Sequence, residues 1–344
     1  MIYQPKSYTI YFTALFFALI LLWFTNMSLG SVNIPLSETL KILLHQPTTN
    51  EVWQTIVYEL RIPKSLTAVI VGAGLSVTGL VLQTLFRNPM AGPSVLGISS
   101  GAGLGVALLL LGSSFFSTLG WEILNIKWSL VLSAVIGSMA VLFLILTLSI
   151  RLKNSMSVLI IGLMLSALTS SFVSMLSYFS SAQKLQQYIF WGFGNLSLLR
   201  KEDLLILSTV VILAVLGMLP LIKPMNSLLL GENFAKSVGI PIQKTKNYIL
   251  ILSAVIIGVI TAFVGPIAFI GLAVPHITRL IFKTSNHKVL LPASLLMGSS
   301  VMLLCDTLSQ LPLNGQVIPI NAITSLIGAP VVIILILRQK SYRF

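Results

Sequence analysis

The chain is 344 residues long and carries 21 basic and 8 acidic side chains, 8% of the sequence, against 56% hydrophobic types and a mean hydropathy of +0.98. Soluble domains carry roughly a quarter charged residues, so an ordinary soluble domain, a disordered chain and a coiled coil are excluded. The formal charge of +13 does not mark a nucleic-acid binder, because the bases stand singly or in pairs between apolar runs and form no solvated cluster.

A membrane-spanning helix needs about 20 mostly apolar residues to cross roughly 30 Å of hydrocarbon, and the composition has room for about ten. A β-barrel would alternate apolar with polar residues, and runs such as Leu204 to Leu219 do not alternate. The first apolar run starts at Ile10 and extends to about Leu29, and it reads as a retained helix, not a removable signal. Further spans follow at 65–86, 94–112, 128–150, 156–178, 203–222, 247–264, 272–284, 289–309 and 321–338. Between them, the aromatic stretch 179–202 reads as a short re-entrant or interfacial helix, and Pro266, Gly271 and Pro275 break the pattern in 263–284. The fold class expected is therefore an all-α polytopic membrane protein, with 1–344 forming a single transmembrane domain.

Ten spans place both termini on one side, and the loops on that side hold a roughly two-to-one excess of Lys and Arg, which assigns them to the cytoplasm. Of the acidic residues only Glu232 falls inside. Proton- or sodium-coupled carriers place ionisable groups at mid-membrane. Here Asp306 lies near the outer end of the ninth span and His276 near the start of the eighth, where a functional role and a structural role as a neighbouring helix's partner are both open. The segment Gly231 to Ser237 lacks the glycine before lysine that a P-loop requires, so the chain does not bind ATP by that motif. One cysteine, Cys305, and three scattered histidines exclude an internal disulfide and argue against a zinc site. Gly72, Gly74 and Gly79, and Gly97, Gly101 and Gly105, sit at spacings that let helices pack closely. Ser166, Thr169 and Ser170 add hydroxyls to the fifth span, where they either line a polar path or bond their own helix.

Seven segments carry a family resemblance. Leu60-Arg61-Ile62-Pro63-Lys64-Ser65-Leu66, Phe86-Arg87-Asn88-Pro89-Met90-Ala91 and Leu96-Gly97-Ile98-Ser99-Ser100-Gly101-Ala102 come first, followed by Trp191-Gly192-Phe193-Gly194-Asn195-Leu196. Leu230-Gly231-Glu232 with Ala235, Ser237, Val238 and Gly239, then Gly265-Pro266 through Pro275-His276, and Leu326-Ile327-Gly328-Ala329-Pro330 complete the order. The chain resembles the iron-chelate and cobalamin permease family of ABC importers.

The resemblance implies a type II importer permease in the bacterial cytoplasmic membrane, working by alternating access. Its implied partners are a second copy of itself or a close paralogue, two cytoplasmic ABC ATPase subunits, and an extracytoplasmic binding protein. The implied cargo is a metal chelate: a ferric siderophore is favoured on the breadth of that class, with haem or cobalamin as alternatives. The chain itself is implied to need no cofactor and to catalyse nothing, with ATP and Mg acting on the partner ATPase. Within 226–240, Leu230, Gly231, Glu232, Ala235, Lys236, Ser237, Val238 and Gly239 are implied to seat in the ATPase. Arg61 and Lys64, with Gln310 at a position where relatives are basic, are implied to dock the binding protein. Asn88 and Met90, with Ser155 and Met156, align with an inner constriction, and Trp191 with the outer mouth or an interfacial anchor. The rival reading is a secondary transporter driven by an ion gradient, which would depend on Asp306 or His276. An intramembrane enzyme would need a nucleophile–base pair or metal cluster, and no such pattern is visible.

Overall fold

A computed structural model describes residues 8–30, 32, 34–48, 50–112, 126–151, 155–311 and 317–338. Among these, helices are α1 (Thr9–Ser28), α2 (Leu36–Leu43), α3 (Glu51–Thr55), α4 (Ile62–Leu85), α5 (Ile98–Leu110), α6 (Ile126–Arg151), α7 (Ser155–Tyr178) and α8 (Ala182–Gly192). They continue as α9 (Lys201–Gly217), α10 (Ile222–Leu229), α11 (Glu232–Ser237), α12 (Ile242–Val264), α13 (Ile270–Phe282), α14 (His287–Ser309) and α15 (Ile320–Arg338). Seven helical stretches are long and apolar enough to cross a membrane, and three shorter apolar helices accompany them. Each of the ten expected spans overlaps one of these, and α8 lies in the stretch 179–202 where a short helix is expected. The chain is an integral membrane protein.

Boundaries differ where local chemistry extends a helix beyond its apolar run. The second span begins at Glu51, because Asn50 caps α3 through its side chain, which accepts from Val52 N at 2.9 Å. Between α3 and α4 lies a π-helical turn, Ile56–Arg61. Pro63 follows directly; it has no N–H to donate and its ring crowds the carbonyl four residues back, so the α ladder is interrupted here. The sixth span bends at a 3-10 turn, Leu219–Leu221, and continues as α10.

α4 is the central helix, buried along most of its length and packed against α9, α12, α13 and α14. Its small residues make that possible. Gly72 meets Gly298 of α14 backbone to backbone, and Gly79 meets Gly271 of α13, so that a Cβ on either partner would overlap a carbonyl. Gly101 and Gly105 of α5 pack in the same way against Gly137 and Ser133 of α6. Three widely exposed helices, α1, α6 and α7, surround this core. α1 is tied at both ends: Tyr8, Tyr11 and Phe12 enclose the buried ring of Phe282 with centroids 5.0 to 6.0 Å apart, and Trp23 Nε1 donates to Ser65 Oγ at 3.0 Å.

The expected break near Pro266 is a true interruption. α12 ends at Val264 with Gly265 (φ +80°) as its cap, residues 265–269 lie outside any helix, and α13 starts at Ile270 after Phe269 (φ +65°). Non-helical backbone within a bundle must find protein partners. Asn195 N donates to Val264 O at 2.8 Å, and Asn321 at the start of α15 accepts from Ala268 N at 3.1 Å while its own N–H reaches Phe193 O at 3.2 Å. Three motifs that are far apart in sequence thus close on one another.

Candidate functional site

The end of the bundle assigned to the cytoplasm gathers the 86–92 loop, α10, α11 and the N-terminus of α14. α11 is a single short helix set off by glycines: Gly231 adopts φ +114° and Gly239 φ +81°, conformations that L side chains resist. Ala235 is fully buried against the bundle, and its carbonyl accepts from Ile240 N at 3.0 Å. With that side anchored, Phe234 on the helix and Leu230 and Val238 at its two flanks remain 44%, 67% and 53% exposed. Glu232 stands in the first turn and Lys236 in the last, each favourable to the helix dipole. Glu232 also acts electrostatically on the buried Lys246 at the foot of α12.

The 86–92 loop is built by turns. Asn88 Oδ1 accepts from Met90 N at 2.8 Å, and Asn88 O accepts from Ala91 N at 3.1 Å, leaving Met90 39% exposed. α13 holds this loop: His276 Nε2 lies 2.9 Å from Pro89 O, and Gln83 bridges Leu272 O (3.1 Å) and Arg279 Nη1 (2.7 Å). Arg87 reaches the start of α11, its Nη1 being 3.8 Å from where a Cβ on Gly231 would stand. A second junction joins α10 to α14 and α4. Asn226 Oδ1 accepts from His287 N at 2.9 Å and from His287 Nδ1 at 2.7 Å, and His287 Nε2 lies 2.8 Å from Thr84 Oγ1. Sequence reading did not single out Asn226, His287, Thr84 or Asn321. Their only signal is that each is a polar side chain at the end of an apolar run.

The described geometry and a match to the FecCD transport family over residues 18–338 now coincide. The chain belongs to the FecCD transport family. It is 36% identical over 330 residues to the hemin transport system permease protein HmuU of Yersinia pestis, covering 95% of this chain and 96% of that one. It is 35% identical over 291 residues to the vitamin B12 import system permease protein BtuC of Escherichia coli O9:H4 (strain HS), covering 83% and 85%. A solved structure described as an inward-facing metal-chelate type ABC transporter superposes with a TM-score of 0.82 at 30% identity, covering 96% of this chain and 100% of that one.

At the outer end of this FecCD chain, the three residues expected to dock a partner lie close together, Arg61 buried and Lys64 and Gln310 half-buried. Arg61 is 8% exposed and donates to the carbonyls of Met27 and Val32 near the end of α1. Lys64 Nζ pairs with Asp306 Oδ1 at 3.1 Å, while Gln310 Nε2 (2.7 Å) and Asn26 Nδ2 (2.9 Å) both donate to Asp306 Oδ2. Burying Arg61 satisfies carbonyls that α1 leaves open, and Asp306 supplies the counter-charge that Lys64 needs beside apolar helices. Of the two ionisable groups open to a coupling role, Asp306 is held in this network and His276 holds Pro89.

The expected path residues on α7 bond their own helix. Ser166 Oγ donates to Gly162 O at 3.0 Å, Thr169 Oγ1 to Ser166 O at 2.9 Å, and Ser170 O accepts from Ser174 Oγ at 3.0 Å. Ser166 Oγ faces Gly97 at the entry to α5, and Ser170 stays exposed. Met156 is 44% exposed in the first turn of α7, which packs against the 3-10 turn Pro93–Leu96 that follows the 86–92 loop. The side chain of Ser155 lies outside the described residues. Trp191 stacks on Tyr188 with centroids 6.1 Å apart and both rings lie over Gly103 of α5, so Trp191 is part of the packing of α8. Burial raises the Tyr188 phenol above its ordinary pKa, which keeps it protonated.

Proposed function

We propose that this chain is the membrane-spanning permease subunit of an ATP-powered importer in a bacterial cytoplasmic membrane, and that α11 with its flanks is where the ATPase engages. The observation that carries the reading is the exposure of Leu230, Phe234 and Val238 on and beside α11. A membrane protein has little reason to expose large apolar side chains around a glycine-framed helix at a charged end of its bundle, unless another protein covers them. Leu230, Gly231, Glu232, Ala235, Lys236, Ser237, Val238 and Gly239 then divide their work: Gly231, Ala235 and Gly239 shape and anchor the helix, and the exposed members form the contact. ATP and Mg act on the partner. This chain supplies the path, moving a metal chelate between two copies of itself, or between itself and a paralogue, after delivery by a binding protein.

The engagement of Asp306 and His276 in internal bonds favours this reading over a carrier driven by an ion gradient. Asn88 and Met90, on a loop held from two sides, together with Met156, are the gate in this reading, methionine being able to close a gap and repack. For cargo we favour an iron chelate, ferric siderophore or haem; the hemin and B12 relatives and the metal-chelate transporter support the class. The role left to Arg61, Lys64 and Gln310 is to fasten the outer ends of α1, α4 and α14.

The test is co-purification of the full chain with its candidate ATPase, wild type against Phe234→Asp, followed by ATP-dependent uptake of ferric siderophore, haemin and cobalamin in proteoliposomes. Association and uptake that Phe234→Asp removes are expected. Uptake that needs an ion gradient and no ATPase would overturn the assignment.

A further inference from the structure

The inner end of the bundle is poor in acids, and amides, hydroxyls and imidazoles make several of its polar contacts. The ion pairs Lys41–Glu38, Lys64–Asp306, Lys127–Asp203 and Lys201–Glu59 lie at the outer end. Two of the inner contacts form a continuous chain between the segment read as ATPase-engaging and the loop read as the gate. Asn226 sits on α10, one turn before Leu230, and its Nδ2 donates to Asn286 Oδ1 at 3.0 Å. That donation fixes the amide orientation, so Asn226 Oδ1 is the acceptor for both His287 N and His287 Nδ1. His287 Nδ1 must therefore carry a proton, and in the neutral ring Nε2 is left as an acceptor, 2.8 Å from the Thr84 hydroxyl, whose single proton is shared between this nitrogen and Leu80 O at 2.9 Å. Thr84 is 1% exposed in the last turn of α4, directly before the 86–92 loop, and its neighbour Gln83 bridges α4 to α13. His287 itself is fully buried.

We propose that His287 is a positioning residue that transmits displacement of the α10–α11 segment to the end of α4 that carries the gate, through Asn226 on one side and Thr84 on the other. The inference rests on the reading of α11 as the ATPase contact. A polar bridge suits the task because it is directional. Apolar contacts let α10 slide past α4 at little cost, whereas each of these bonds is lost if one helix moves without the other. Desolvation makes the loss count, since a buried imidazole nitrogen without a partner is costly. His276 on Pro89 gives the loop its second attachment, so α4 and α13 grip it from opposite sides.

The test uses the full chain with its ATPase in proteoliposomes, carrying Met90→Cys as a reporter; the native Cys305 is buried and gives little background. Maleimide labelling of the reporter is followed with and without ATP and vanadate, beside the rate of ATP hydrolysis. With Thr84 present, nucleotide changes the labelling rate. Thr84→Val keeps the shape and removes the hydroxyl. It is expected to bind the ATPase and hydrolyse ATP within about twofold of the parent, while the nucleotide response of labelling shrinks about tenfold, the effect of one buried hydrogen bond on a two-state equilibrium. Thr84→Ser restores the hydroxyl and is expected to restore the response.

If Thr84→Val responds as the parent does, or if Thr84→Ser is as defective as Thr84→Val, the relay is wrong. Should Thr84→Val fail to insert, Asn226→Ala and Asn226→Asp make the same comparison, the aspartate keeping the acceptor for His287 and the response with it. Equal responses from those two would also overturn the proposal. A parent chain that never associates with an ATPase would remove the reading of α11 first, and the relay with it.

Discussion

The contrast between Lys64 and Arg61 shows how one side chain's surroundings decide its role. Both are cations at the outer end of one helix, yet Lys64 meets a carboxylate and Arg61 meets only carbonyls. Removing Lys64 leaves Asp306 buried with two amide donors, Asn26 and Gln310. A buried ion pair broken on one side costs about 3–5 kcal/mol, and the surviving amide bonds place Lys64→Ala near the lower end of that range. Thermal unfolding in detergent is expected to show this loss, and the double variant Lys64→Ala with Asp306→Ala is expected to be more stable than Lys64→Ala alone. At this scale residue types and their spacing are legible in the sequence, but their partners are not. The structure brings Arg61, Lys64 and Gln310 together at one end, and which groups they meet depends on Asp306 and on the carbonyls near the end of α1.

Among the elements, the glycine positions were legible and their partners were not. A helix with Gly72, Gly79 and small polar residues had to approach something closely; that Gly72 meets Gly298 and Gly79 meets Gly271 required the helix crossings. Gly298→Val would drive a side chain into the Gly72 carbonyl and the Ser76 side chain. Overpacking of this kind typically costs about 1–3 kcal/mol, and here backbone is in the way, so a loss at or above the top of that range is expected in detergent melts. Gly192 is the control, because nothing lies within 4 Å of a Cβ built there. Gly192→Ala is expected to be neutral or to stabilise α8 by about 0.5 kcal/mol. The interrupted stretch between α12 and α13 was also legible from Pro266 and Gly271, whereas its stabilising partner, Asn321, was not, since an asparagine at a helix start looks like any cap.

Over the whole molecule, charge sorts by end. The ion pairs Lys64–Asp306, Lys127–Asp203 and Lys201–Glu59 lie at the end assigned to the outside, while α11 and the His287 junction lie at the other. A reporter at the exposed Val238 is therefore expected to be labelled in inverted vesicles and not in intact cells, and one at the exposed Tyr178 the reverse. Labelling of both from one side would refute the ten-span arrangement. Contact energetics belong to this scale too: burying a Phe side chain contributes about 1.5–3 kcal/mol, so Phe234→Ala is expected to weaken ATPase binding by about ten- to a hundredfold in a titration, with Gly192→Ala unchanged. By itself the sequence determined the class of protein, where its apolar helices run and where one of them breaks. Those follow from hydropathy and backbone chemistry, which are properties of consecutive residues. Only the tertiary structure decided which polar groups meet: Arg61 turned inward, Asp306 shared by Lys64, Asn26 and Gln310, and His287 set between Asn226 and Thr84. In a bundle each helix can rotate about its own axis without changing its hydropathy, so the partner of a buried polar side chain is fixed by packing against neighbours that are distant in sequence.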